Sequence, residues 1–559
     1  MASTPKDYKT IFAKKVAERS SKILKEWLVA PKFFTDATNL LDIPSRCGVL
    51  SEVEIEITSK HDATDILGKL RAREFSAEQV AVAFCKRAAV AQQLVNCLTE
   101  IFFDEAIERA RHLDAKRQEN PTEPLPPLWG LPISLKDSFA YKGQDTSTGL
   151  ACYVDEPAQE HSILAAMLLD LGAVLYCKTN LPQSIMTGDS DNNVFGRTLN
   201  PRNTGLTAGG STGGEGALLA LRGSILGVGT DIGGSNRVPA VCNGVYGCRP
   251  SVGIIPHGGV RDLTVPGTVG VMSSAGPLAT SMRDISLFLQ IIVQAGPWKY
   301  DTNVTSLPWC CNPTPKKEQI LRIGLVQNDG LYTPTPPVRR GLKKAADILR
   351  NRTDIKLVPI SLPDVGQIYQ DLLTYYTLSG SDHYLEQFGR TGEPLVPSLQ
   401  ALEPLLMQSG TTLQGFFDLN VRRAAAAKTY LSLFRDNELD VIMMPPAPHT
   451  AVPLDKWSTI TYTGLWNYLD YPAVVIPVDR VRAGEDASDD VSNAKFGAED
   501  ARVYNLYTGP EDYRDAPICV QLVGYRQQDR MLMNNAVMLD GIINNETLSS
   551  VGKFWLNWS

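Results

Sequence analysis

Histidine is scarce in this chain. Its 559 residues include six, His61, His112, His161, His257, His383 and His449, and none stands in a run resembling the partner motif of a histidine-dependent serine hydrolase. The ten cysteines show no Cys-x-x-Cys spacing, which gives no support to a zinc site or a disulfide framework and points to free thiols in a reducing compartment. Two of them, Cys310 and Cys311, are adjacent in a proline-rich turn. No run of about 18 uncharged apolar residues is present, so no ordinary membrane span is expected. The charged N-terminal stretch MASTPKDYKTIFAKKVAERSSKILKEW has no apolar core of a secretory signal. The net charge is −7 with no basic run, which argues against nucleic acid or an anionic membrane surface as a partner. Neither a Gly-Lys-Ser/Thr loop nor a Gly-x-Gly-x-x-Gly turn opening a helix occurs, so nucleotide cradling has little support. These absences lead to the expectation of a cytoplasmic protein with no metal and no organic cofactor.

What is present is an ordinary globular composition, 43% hydrophobic and 21% charged, enough to bury a large core. No linker-like segment separates the motifs, so one large domain is expected. Residues 1–60 read as an N-terminal helical arm, with a helix over Ile11–Leu28, and residues 61–559 as the catalytic domain. The pattern predicts a helix over Ala63–Arg73, then a longer one opened by the capping-box pair Ser76 and Gln79 and running to about Gln93. Val80, Ala83, Phe84 and Ala88 form its core-facing stripe. A helix over Asp104–Arg117, a strand ending at Lys136, a helix over His161–Leu171 and a strand over Gly172–Lys178 follow. This alternation implies an α/β fold with a central mixed, mainly parallel twisted sheet covered by helices on both faces. Farther on, strands are expected at Arg322–Val326 and Asp440–Met444, and helices at Pro337–Arg350 and Thr412–Asp436. Residues 360–415 are poorly patterned for a sheet. The acidic run Arg482–Ala501 reads as a mobile surface loop.

The chemistry concentrates in Gly209–Arg237, GGSTGGEGALLALRGSILGVGTDIGGSNR. Ser211 and Ser235 are each flanked by glycines, which let the backbone turn sharply against a ligand. A short helix from Thr212-Gly213-Gly214 to Leu221 and a buried strand over Ile225–Thr230 separate them, and Pro239 stands near the start of a second helix. A serine at a strand-to-helix turn presents its hydroxyl at a sheet edge. The N–H groups of Ile232, Gly233, Gly234 and Ser235 can then converge on a developing oxyanion. A phosphate loop or a mere tight connection remains an alternative for the glycines alone. A serine nucleophile needs a base, and a buried, partly neutral lysine can serve. Lys136 closes the apolar strand-like run GLPISLKD; the alternative is a lysine reaching solvent from a strand end. Asp231 can order the loop through bonds to its N–H groups.

The order and spacing of GLPISLKD, GGSTGGEGA and GVGTDIGGSNRVPA resemble the amidase signature family of Ser-cisSer-Lys hydrolases. The likeness continues through KTNLPQS, FGRTLNP, GCRPS and APICVQLVG, and the runs AFCKRAAVAQQLVNCLTE and PWKY resemble the fungal acetamidase-type branch. The resemblance implies Lys136 as base, Ser211 as the bridging serine after a cis peptide, and Ser235 as the acylated nucleophile. The oxyanion donors it implies are the N–H groups of Ile232, Gly233, Gly234 and Ser235, with Asp231 and Arg237 as structural support. Met186, Thr187, Ser211 and Asn236 are the expected substrate-binding residues, although Asn236 stands where members commonly carry an apolar or small residue. Residues 360–415 correspond to the variable segment that shapes the substrate channel, and Thr461–Tyr471 with PAVVIP to a late strand near the site. The implied activity is hydrolysis of a small-molecule amide to acid and ammonia or amine, with no cofactor; analogy with relatives adds a homodimer. Two other readings stay open: a specialised hydrolase or acyltransferase for one bulky substrate, and an idle binding protein on this fold.

Overall fold

The computed structural model describes residues 7–35, 37–309 and 320–544; Cys310 and Cys311 lie outside them. Among the described residues eleven strands form one sheet: β1 Leu98–Ile101, β2 Pro132–Lys136, β3 Val174–Thr179, β4 Leu226–Asp231, β5 Tyr246–Arg249, β6 Ser274–Ala279, β7 Leu321–Leu325, β8 Ile355–Pro359, β9 Val441–Met444, β10 Ala473–Arg480 and β11 Pro517–Val523. Their order is β1-β3-β2-β4-β6-β5-β10-β11-β9-β7-β8. Parallel pairing occupies two blocks, β3-β2-β4 and β9-β7-β8, and the strands between them pair antiparallel. Buried β2, β3 and β4 are continuously covered, as the near-unbroken apolar runs of parallel strands require. The pairing of β2 with β4, Ser134 opposite Gly227 and Leu135 opposite Val228, brings the C-terminal end of β2 beside that of β4. That adjacency positions the site.

Helices begin where the sequence signals them. Ser76 Oγ accepts from Gln79 N at 3.0 Å while Gln79 Oε1 accepts from Ser76 N at 2.9 Å, closing both halves of the capping box. The helix it opens, Ala77–Val95, is buried well beyond its expected stripe, including Ala81, Cys85 and Ala89. It is packed between the helices Glu52–Lys60 and Phe103–Glu119. Each cysteine among the described residues is a free thiol, and all but Cys47 are buried. No helix among the described residues is long and apolar enough to cross a membrane.

The N-terminal arm is folded onto the body. Its first helix is Tyr8–Ser21, ending short of the expected Leu28. The consecutive serines Ser20 and Ser21 are weak helix formers, and the turn after them lets Trp27 and Val29 enter the main core together with Leu40, Ile43 and Ile57. Lys15, itself buried, donates to Glu100 Oε1 at 2.6 Å and to Asp145 Oδ2 at 3.1 Å. Two other expectations need correction. Thr461–Leu469 is a helix, not part of a strand, because Tyr462, Leu465, Trp466 and Leu469 recur at helical spacing and are all buried; the strand starts only at Ala473. The acidic run at 482–501 is fastened rather than loose. Buried Asp486 accepts from Arg340 Nε at 2.7 Å and Nη2 at 2.8 Å. Asp500 accepts from the backbone of Thr333, Lys495 and Phe496 and lies in the helix Ala498–Tyr504.

Candidate active site

Lys136 ends β2 with its side chain fully enclosed. Its Nζ donates to Ser211 Oγ at 2.7 Å and to Thr230 Oγ1, one residue before the end of β4, at 2.9 Å. Burial, opposed only in part by the carboxylates of Asp231 and Asp137, lowers its ammonium pKa from 10.5 to about 7. A lysine placed so is neutral in an appreciable fraction of molecules at neutral pH. Ser211 follows a cis peptide from Gly210. Glycine is required there, since a Cβ would lie 2.2 Å from the carbonyl oxygen of Thr187.

The loop after β4 is held from beneath by one carboxylate. Asp231 accepts from Gly234 N at 2.8 Å, Asn236 N at 3.2 Å, Asn467 Nδ2 at 2.9 Å, and Arg237 Nε and Nη2 at 3.0 Å each. Burial alone would raise its pKa, but the Arg237 guanidinium and these hydrogen bonds bring it down to about 2. Arg237 is equally buried and continues to Thr463 O, Gln521 Oε1 and Asn467 Oδ1. Both residues expected to support the loop are therefore joined to each other and to the helix Thr461–Leu469.

Ser211 and Ser235 line the same cavity of about 210 Å³, together with Ile232, Gly233, Met186 and Thr187. Tyr375, Leu378, Tyr384 and Leu406 bring the expected channel segment to its wall, and Leu263 and Val265 come from a stretch the sequence did not single out. Asn236 does not line it. Its amide is spent in the core, Nδ2 donating to Cys248 O at 3.0 Å and Gly276 O at 3.3 Å while Oδ1 accepts from Thr212 Oγ1 at 3.1 Å. It is a buried brace between loop and sheet, and its expected substrate contact is withdrawn. Gly234 also differs from expectation. Its N–H is committed to Asp231, which leaves the N–H groups of Ile232, Gly233 and Ser235 as the donors the loop can offer. Sequence reading missed Thr230, Tyr376 and Thr463. Thr230 stood in view inside GTDIGGS, but nothing in a strand threonine reveals that it faces a lysine from another strand.

The Amidase family model matches residues 79–533. The chain belongs to the amidase signature family. Relatives of this amidase include an acetamidase of Emericella nidulans, 36% identical over 557 residues, 97% of this chain and 99% of the other. An acetamidase of Aspergillus oryzae is 37% identical over 504 residues, 87% of this chain and 90% of its own. Among solved structures, a fatty acid amide hydrolase superposes with a TM-score of 0.89 at 29% identity, covering 96% of this chain and 95% of that one.

Proposed function

We propose that this amidase hydrolyses primary amides with an apolar acyl or aryl group through an acyl-enzyme on Ser235, with Ser211 and Lys136 as the proton relay. The observation that carries the proposal is the enclosed Lys136–Ser211 hydrogen bond of 2.7 Å, at the wall of a cavity that Ser235 also lines. Neutral Lys136 takes the Ser211 proton as Ser211 takes that of Ser235. The Ser211-to-Ser235 transfer is the proposed link. Ser235 Oγ then bonds to the carbonyl carbon, and loop N–H groups receive the negative oxygen. The relay returns a proton to the nitrogen as the C–N bond breaks, which an amide needs because an unprotonated amine leaves poorly. Water adds to the acyl-enzyme with the same relay as base, and the carboxylic acid departs.

The relatives named acetamidase support primary amides as the class. The wall of Leu263, Val265, Tyr375, Leu378 and Tyr384 favours acyl groups larger than acetyl, because apolar area removed from water is worth about 25 cal/mol per Å². The test is ammonia release from a series running from acetamide through benzamide to long-chain amides, with Ser235→Ala as control. Turnover that rises with apolar acyl size and vanishes in the variant is expected. Turnover that survives Ser235→Ala would refute the assignment.

A further inference from the structure

Two successive peptide units of the loop after β4 have their carbonyls held by side-chain hydroxyls. The Thr463 hydroxyl donates to Gly233 O at 2.6 Å, and the Tyr376 hydroxyl donates to Ile232 O, also at 2.6 Å. In a trans peptide the C=O and N–H of one unit point in opposite directions. The Gly233–Gly234 unit obeys this rule visibly: its carbonyl is held by Thr463 and its N–H meets Asp231 Oδ1 at 2.8 Å. The Ile232–Gly233 unit has its carbonyl held by Tyr376, and among the described residues no carboxylate takes the Gly233 N–H in the way Asp231 takes that of Gly234. Gly233 lines the catalytic cavity.

We propose that Tyr376 is a positioning residue, which by holding the Ile232 carbonyl aims the Gly233 N–H at the oxygen that becomes negative during acylation. The proposal deepens the Ser235 acyl-enzyme reading and rests on it. Two packed helices supply both fastenings, Val365–Tyr376 bearing Tyr376 and Thr461–Leu469 bearing Thr463. Side chains locked by such packing lose little on holding a loop still, and a donor fixed before reaction costs no reorganisation during it. Burial pushes the Tyr376 hydroxyl well above the usual phenol range, so it remains a donor. The placement also links specificity to rate. Tyr376 itself lines the cavity and leads directly into Thr377, Leu378, Ser379 and Gly380, which line it too. An acyl group that displaces this wall moves the oxyanion donor with it.

The experiment compares Tyr376→Phe, which deletes one oxygen, with Thr463→Val and the unmodified enzyme on amides of graded acyl size. Two constants that do not depend on how much enzyme folds are read: KM, and the Ki of an acyl aldehyde that forms a hemiacetal oxyanion with Ser235. Removing an oxyanion donor outright costs about 10²- to 10³-fold, so misaiming one should cost about 10- to 100-fold. Tyr376→Phe is expected to lower kcat by that factor for every acyl group, to raise the aldehyde Ki in proportion, and to leave KM unchanged. Thr463→Val, whose loosened unit is still held by Asp231, should change both by less than about threefold. An unchanged aldehyde Ki in Tyr376→Phe, a loss confined to KM for particular acyl groups, or equal losses in both variants would overturn the proposal. Failure of the unmodified enzyme to release ammonia from any amide would overturn the underlying amidase reading instead.

Discussion

Replacing Lys136 with methionine should abolish amide turnover and yet make the protein more stable at neutral pH. Burial lowers the lysine pKa from 10.5 to about 7, a shift of about 3.5 units, and each unit is worth about 1.36 kcal/mol. Enclosing this amine therefore costs the folded state about 5 kcal/mol at pH 7 and below, where the unfolded chain keeps its proton. Methionine removes that cost but forfeits the hydrogen bonds to Ser211 and Thr230, at about 1 kcal/mol each. A net gain of about 2–3 kcal/mol remains. The pH dependence has a definite sign. Because the folded pKa lies below the unfolded one, the wild-type protein sheds a proton on folding between pH 7 and 10.5 and gains about 1.4 kcal/mol per unit as pH rises through that window. The advantage of Lys136→Met should be greatest at or below pH 7 and vanish about two units higher. Urea unfolding of both proteins at pH 6.5, 8 and 9 measures it. A variant less stable than wild type at pH 6.5, or a difference that does not change with pH, would refute the idea of a desolvated lysine.

In the proposed relay the same pKa sets the activity profile: kcat/KM should fall about tenfold per unit below pH 7 as Lys136 takes up a proton, and a flat profile from pH 5 to 8 would contradict this. Glu215 is fully buried beside the hydroxyls of Ser134 and Thr179, and burial raises its pKa from 4.5 to about 7 despite those bonds. The folded state is therefore penalised as pH rises from 4.5 to 7 and uniformly above; Glu215→Gln should stabilise the protein by up to about 3 kcal/mol more at pH 8 than at pH 4.5, read from urea midpoints. Lys15→Met leaves Glu100 and Asp145 without their shared ammonium and should cost about 3–5 kcal/mol, with earlier tryptic cleavage in the N-terminal arm; unchanged proteolysis would show that this ion pair does not hold the arm.

The parts of the site legible in the sequence are those whose chemistry is written locally. Ser211 and Ser235 announce themselves by flanking glycines, Lys136 by the apolar strand that buries it, and Asp231 and Arg237 by standing on either side of the loop they fasten. The capping pair Ser76 and Gln79 set a helix start for the same reason. What distant segments bring to the site was not legible. Tyr376, Thr463, Asn467 and Gln521 reach the loop from helices and a strand 144 to 284 residues away, and nothing in their neighbours marks them. Asn236 was misread because adjacency to Ser235 says nothing of direction; as the residue preceding the helix Arg237–Asn243 its side chain enters the core. The run at 482–501 reads as loose because it is polar, acidic and glycine-containing, and nothing within it marks Arg340, far upstream, as a partner of buried Asp486.

The central claim is that Ser235 carries the acyl group. Rapid acid quench of the enzyme during turnover of an activated ester of the preferred acid, followed by intact mass and peptide mapping, tests it directly. The account predicts a mass increase equal to the acyl group, located on Ser235, that decays with the kinetics of product formation and is missing from Ser235→Ala. Acylation of another residue, or steady turnover in Ser235→Ala, would contradict it.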